Sequence, residues 1–172
     1  VSQTVNNEIQ VLGIDPSLRG TGFAILRGSA SKPQVVEFGV LKIKPSFSMP
    51  ECLLQIHDGI SGAILRNQPT ESAIESTIFV QSYQTAITLG AARGAALLAC
   101  ARHGLVIHEY APRRIKQAVV GRGAAQKEQV SFMIRALCGL RETPPPDAAD
   151  AIACAITHLQ TLSSRANHSI SR

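Results

Sequence analysis

Apolar and polar residues alternate through Ile9 to Asp15, and this run ends in a carboxylate, the pattern of a buried strand. Thr21 to Arg27 and Gln34 to Lys44 repeat the strand pattern, separated by the turn Pro16 to Gly20 and the loop Gly28 to Pro33. Such short connections predict an antiparallel meander. From Ser48, a helix N-cap followed by Pro50 in the first turn, the period changes. Leu53, Leu54, Ile56, Ile60, Ile64 and Leu65 recur at helical spacing as far as Asn67. Glu71 to Thr77 predicts a fourth strand, Phe79 to Gln84 an exposed loop, and Thr85 to His103 a helix of small residues. Leu105 to Tyr110 predicts the fifth strand. Helices over Pro112 to Val120 and Ala125 to Leu137 flank a glycine turn at Gly121 to Gly123. After Pro144, Pro145 and Pro146, which hold the chain extended, an alanine-rich helix begins with Asp147 as N-cap. Three strands joined by hairpins, then two strands each preceded by a helix, predict an α/β fold. Its mixed five-stranded sheet has three antiparallel strands, then parallel crossovers, and is flanked by helices.

With 172 residues and 45% apolar content, the chain is expected to form one domain over 1–162, with a flexible tail over 163–172 rich in Ser, Arg and Asn. No apolar run is long enough to span a bilayer, and Val1 to Gln10 shows no signal-peptide pattern. Cys52, Cys100, Cys138 and Cys154 have no zinc-ligand spacing and read as buried thiols of a cytoplasmic protein. The histidines form no ligand pattern either: His57 and His158 are expected on helix surfaces or in the core. A net charge of +5 permits nucleic acid as a partner.

Asp147 and Asp150 share one face of the last helix, as caps complementing its dipole or as oxygen ligands of a hard cation. Asp15 and Glu75 stand at the carboxyl ends of the first and fourth strands, where α/β sheets build sites. Taken singly, Asp15 opens a turn and Glu75 is a solvent-facing strand residue. Gathered, four carboxylates repel, and bound cations or protons relieve them. Two Mg²⁺ ions about 3.5–4 Å apart, bridged by carboxylates, are the usual arrangement for phosphodiester hydrolysis. Arg113, Arg114, Lys116, Arg122 and Lys127 lie in an acid-free stretch, a solvated basic face or a phosphate-binding one.

Several of these segments together resemble the RuvC Holliday-junction resolvases. They are GIDPS at Gly13 to Ser17, AIE at Ala73 to Glu75, and LGAARG at Leu89 to Gly94. The stretches Glu109 to Val130 and Asp147 to His158 continue the likeness, which runs in order from about Val11 to Leu159. The resemblance implies a ribonuclease-H-like fold and a homodimeric, Mg²⁺-dependent endonuclease acting on four-way DNA junctions. Mn²⁺ is the alternative ion, and RuvA and RuvB are the implied branch-migration partners. It also places Asp15, Glu75, Asp147 and Asp150 on the catalytic, metal-binding positions, and Lys116 and Lys127 on basic positions near DNA phosphates. Ser17 stands where many members have glycine, and Ile78 where many have a base-stacking phenylalanine, which passes that role to Phe79 or Tyr83.

The competing readings are another ribonuclease-H-like nuclease acting on RNA or flaps, a catalytically silent junction-binding module, and an actin-like ATPase. The four acids argue against the silent module, and no second glycine-rich phosphate loop supports the ATPase. Gly90, Ala91, Gly94, Ala95 and Ala99 form a small-residue helix face suited either to the chain's own sheet or to a second copy.

Overall fold

The computed structural model describes residues 9–76 and 82–170, the last five as backbone only. Its elements are β1 (Val11–Asp15), β2 (Gly20–Ser29), β3 (Lys32–Lys42), α1 (Met49–Asn67), β4 (Glu71–Glu75) and α2 (Tyr83–Arg102). β5 (Val106–Tyr110), α3 (Pro112–Val120), α4 (Lys127–Cys138) and α5 (Pro146–Ile170) follow. The sheet runs in the order β3-β2-β1-β4-β5. β1 pairs antiparallel with β2, and β2 with β3; β4 lies parallel to both β1 and β5. The mixed five-stranded α/β sheet expected from the pattern is the one observed.

Alternation along the strands sorts side chains onto two faces. Val11, Ala24, Leu26 and Ala73 pack with α3, α4 and α5, whereas Leu12, Ile14, Phe23, Ile25 and Ile74 pack with α1 and α2. The second face carries large side chains; the first is unusually small where α5 crosses it. A Cβ on Gly13 would overlap the Ala151 carbonyl, and one on Gly22 would overlap the Asp147 carbonyl. The backbone of α5 therefore lies almost directly on β1 and β2, a closeness that only glycine in the sheet and alanine in the helix permit. Ala148, Ala149, Ala151 and Ala155 are all buried there.

Capping chemistry sets several boundaries. The Glu51 carboxylate accepts both the Ser48 N–H at 2.7 Å and its hydroxyl at 2.6 Å, closing the start of α1. At the start of α2, Ser82 accepts from the Thr85 N–H at 3.2 Å, so Tyr83 and Gln84 belong to the helix and not to the expected loop. The remaining residues assigned to that loop before Ser82 include Phe79, which lies outside the described residues. α4 begins at Lys127 rather than Ala125, because Gln129 turns back to the Gln126 N–H. Asp147 is not the N-cap of α5. The Pro145 carbonyl accepts the Ala149 N–H at 2.8 Å, which makes Pro146 the first helical residue. The Asp147 side chain is thereby available for other work. α5 continues as helix to Ile170, past the point where polar composition predicted the end of regular structure.

The small-residue face of α2 divides. Ala92, Ala96, Ala99 and Cys100 are buried against the core, whereas Gly90 and Gly94 are exposed with open space before them. These two environments give opposite outcomes for glycine replacement. Gly22→Ala should lower the urea midpoint by the equivalent of about 1–3 kcal/mol through forced overlap with α5. Gly90→Ala, in an open helical position, should raise it by about 0.5–1 kcal/mol.

Candidate metal-dependent nuclease site

The pleat that buries Gly13 and Ala73 beneath α5 sends Asp15 and Glu75, two residues further on, to the same face. Gly13 is paired with Ala73 and Ile14 with Ile74 in the parallel register, so Asp15 and Glu75 leave adjacent strands side by side. Gly22, the partner of Asp15 on β2, is the residue on which Asp147 rests. Asp150 follows one helical turn later. The carboxylates expected from three distant segments thus converge.

Their mutual influence is visible in their acidities. The Asp15 carboxyl is pushed up from 3.8 to about 7, first by burial and then by Asp150, Asp147 and Glu75, with Lys127 opposing. Glu75 is raised by burial and by Asp150, against Lys127 and Lys116. Asp150 is raised by burial and Asp147, again against the two lysines. Lys127 Nζ stands 4.0 Å from Asp150 Oδ2 with its side chain 83% exposed, too distant and too wet to neutralise the cluster. Carboxyls whose ionisation is opposed by burial and by one another mark a set of oxygen donors short of positive charge. Oxygen-only donors of this kind fit a hard divalent cation such as Mg²⁺.

The turn after β1 is fixed by buried Thr21, whose hydroxyl donates to the Ser17 carbonyl at 2.6 Å and accepts the Ser17 N–H at 3.2 Å. Ser17 keeps a negative φ, so serine sits in this turn without the strain that glycine would otherwise be needed to relieve. Beyond the turn, Arg19 donates to the carbonyls of Lys44 at 2.7 Å and Phe47 at 3.0 Å, tying it to the approach of α1.

Lys116 and Lys127 border a cleft with Glu75 and Asp150. Arg113, Arg114 and Arg122 are exposed on α3 and the following turn, where the methylenes of Arg113 pack over Gly123. Tyr83, at the start of α2, is 92% exposed. Two further residues were not singled out from sequence. Arg93, its side chain 13% exposed, donates to the Glu75 carbonyl at 2.6 Å and pairs with Glu109 at 2.8 Å, holding the end of β4 to β5. Its visible signal is a lone cation in the small-residue LGAARG segment. Phe132 is 67% exposed and lines a groove with Lys127 and Asp150. Its signal is phase, since the turn that buries Val130 and Ile134 points Phe132 outward. His57 lies on α1 with Nδ1 2.9 Å from Asp58, and His158 is in the core. Cys52, Cys100 and Cys154 are buried and Cys138 is half-buried, all as free thiols.

A mixed sheet of this order, with acids at the ends of β1 and β4 and on a helix crossing both, defines a ribonuclease-H-like nuclease. The chain belongs to the RuvC family, whose profile, described as "Crossover junction endodeoxyribonuclease RuvC", matches residues 11–158. It is 50% identical over 151 residues to the crossover junction endodeoxyribonuclease RuvC of Akkermansia muciniphila, covering 88% of this chain and 90% of that one. The Halorhodospira halophila protein is 45% identical over 149 residues, covering 87% and 89%. A solved structure described as T. thermophilus RuvC in complex with Holliday junction substrate superposes with a TM-score of 0.87 and 33% identity, covering 91% of this chain and 96% of that one. The yeast mitochondrial resolvase Ydc2, at 13% identity and a TM-score of 0.62, shares the fold. This chain is accordingly an endodeoxyribonuclease of a metal-dependent family, and among its described residues no helix is long and apolar enough to cross a membrane.

The raised pKa of Asp15 fixes a pH dependence. Its ionised form is disfavoured in the fold, so the Asp15 contribution to stability without metal is fully present below pH 3.8 and is lost as pH rises through about 7. In chelator, Asp15→Asn should melt above wild type at about pH 8 and close to it at about pH 3.5. Saturating Mg²⁺ should reduce the difference at the higher pH, as followed by thermal unfolding.

Proposed function

We propose that Asp15, Glu75, Asp147 and Asp150 are the metal-binding catalytic acids with which this enzyme makes paired cuts in four-way junction DNA. The observation that carries the reading is the convergence of the four on one sheet face, three of them with pKa values raised by burial and by one another. Mg²⁺, most simply as two ions, is the cofactor this donor set favours, with Mn²⁺ as a substitute. When bound, such ions would lower the pKa of water and stabilise the leaving oxygen of a phosphodiester. Asp15 and Glu75, on neighbouring strands, fix one side of the site, and Asp147 and Asp150 close it from α5. Arg93 holds the backbone of Glu75 and thereby its side-chain position.

Lys116 and Lys127 lie at the rim of the acids and receive the phosphates flanking the cut, while Arg113, Arg114 and Arg122 extend that cationic surface along the duplex. Tyr83 and Phe132 are exposed aromatics suited to stacking on bases unpaired near the crossover, a role Phe79 shares in this reading. On one mobile four-way junction, Asp150→Asn should abolish Mg²⁺-dependent nicking with binding largely retained. Lys116→Ala should instead weaken binding for every junction sequence and lower the salt slope by about one unit. Near wild-type cutting by Asp150→Asn would refute the metal assignment, and an unchanged slope would return Lys116 to the solvated surface.

The working form in this reading is a homodimer. Exposed Leu54 on α1 and Leu98 on α2 flank a shallow patch at Gly94 and Ala95, with open space before Gly94. A two-fold axis through that patch matches a four-way junction, which is itself roughly two-fold, and relates two acid sites for paired cutting. Such an enzyme works in the cytoplasm with branch-migration partners of the RuvA and RuvB kind. Ala95→Arg should sediment as a folded monomer and lose paired nicking. A wild type that sediments as a monomer while making paired cuts would overturn the dimer.

A further inference from the structure

At the opposite end of β4 from Glu75, a second cluster gathers side chains that the nuclease reading does not use. Glu71 opens β4, His108 lies in β5, and His158 lies on α5 two turns beyond Asp150. Glu71 Oε2 is 2.8 Å from His108 Nε2 and 2.8 Å from His158 Nε2. The three donor atoms fall within 4.8 Å of one another. His158 is fully buried, while the side chains of Glu71 and His108 are 19% and 21% exposed, leaving one side of the cluster open to water. The other ring nitrogen of His158, Nδ1, lies 2.6 Å from the Tyr110 hydroxyl, which fixes the ring and aims Nε2 at Glu71.

A hydrogen-bonded triad accounts for these distances, and the same three atoms are also a metal-ligand set. The imidazoles stack with centroids 4.1 Å apart and planes at 26°. Two imidazole nitrogens and one carboxylate oxygen are borderline donors, a set that suits Zn²⁺ and related transition metals and suits Mg²⁺ poorly. Donor atoms around tetrahedral zinc stand about 3.3 Å apart, given bonds of about 2.0–2.1 Å. Glu71 Oε2 stands 2.8 Å from each nitrogen, so an ion would have to part them by about half an ångström. The Tyr110 contact is the outer hydrogen bond that metal-binding histidines characteristically make.

We propose that Glu71, His108 and His158 form a binding site for a divalent transition-metal ion, Zn²⁺ foremost, with water as fourth ligand. The ion clamps β4, β5 and α5 together and is separate from the four acids. Occupancy stabilises the folded chain by mass action, because the three ligands come together only in the fold. The sequence conceals the site, since its ligands are 37 and 50 positions apart in no recognised spacing.

The test uses the full chain, stripped with chelator and then held in millimolar Mg²⁺ to occupy the acids. Titration with Co²⁺ should give visible d–d bands at one equivalent that Zn²⁺ abolishes, and Zn²⁺ should raise the melting temperature. His108→Gln and Glu71→Gln should each remain folded and lose both signals. Tyr110→Phe should keep the bands with affinity weakened about 10–100-fold. Wild-type protein with neither bands nor a melting shift would overturn the proposal. So would signals that survive His108→Gln, or signals that disappear in Asp15→Asn, which would assign the ion to the nuclease acids.

Discussion

The structure depends above all on how closely α5 lies on β1 and β2. Gly13 and Gly22 have no side chain because the carbonyls of Ala151 and Asp147 occupy the space a Cβ would fill. Alanine on the helix and glycine in the sheet together bring two backbones into contact, where ordinary helix–sheet packing interposes a layer of larger side chains. A shorter gap buries less apolar area per residue, and the other face of the sheet compensates with Leu12, Ile14, Phe23 and Ile25 against α1 and α2. What the contact achieves is position. It lowers Asp147 and Asp150 into reach of carboxylates that leave the strands on the same pleat.

That proximity has an electrostatic cost which the protein only partly offsets. Lys127, 4.0 Å from Asp150, is largely solvated, and Arg93 spends its charge on a carbonyl and on Glu109. Burial and mutual repulsion therefore remain in the acids, and a bound cation, rather than a buried ion pair, is the natural partner. The same economy separates the two clusters of the molecule. In the proposed assignments, the oxygen donors at one end of β4 suit a hard ion, while the imidazole-rich group at the other end is built of softer donors.

Much of this was legible in the residues. Short strand-like runs gave all five strands, although β1, β4 and β5 have only five residues each, and helical spacing gave the longer α1. The convergence of Asp15 and Glu75 followed from strand ends. Asp147 is not the cap, since a proline at the first helical position moves the boundary two residues back and looks the same in sequence. Tyr83 and Gln84 read as loop because Ser82 caps a helix whose first turn has few apolar residues. The Arg93 contact depends on a tertiary approach of α2 to β4 that no local pattern encodes. Phe132 was visible only in retrospect, as the aromatic out of phase with Val130 and Ile134. The tie between Thr21 and Ser17 likewise explains why serine substitutes for glycine after Asp15-Pro16, which spacing alone left unexplained.

The order of elements along the chain has a consequence for biosynthesis. β1 supplies the first acid, yet α5, carrying two of the four, follows every other described element, and its contact with β1 closes a loop of more than 130 residues. Long-range closures of this kind form late in folding. While the chain is still emerging from the ribosome, β1 to β3 can pair as a meander, but the acid cluster has only half its members. In the proposed assignment, a partly made chain thus carries a folded scaffold with only half of its catalytic acids. On that assignment the enzyme becomes competent to cut DNA only once α5 has settled onto the sheet.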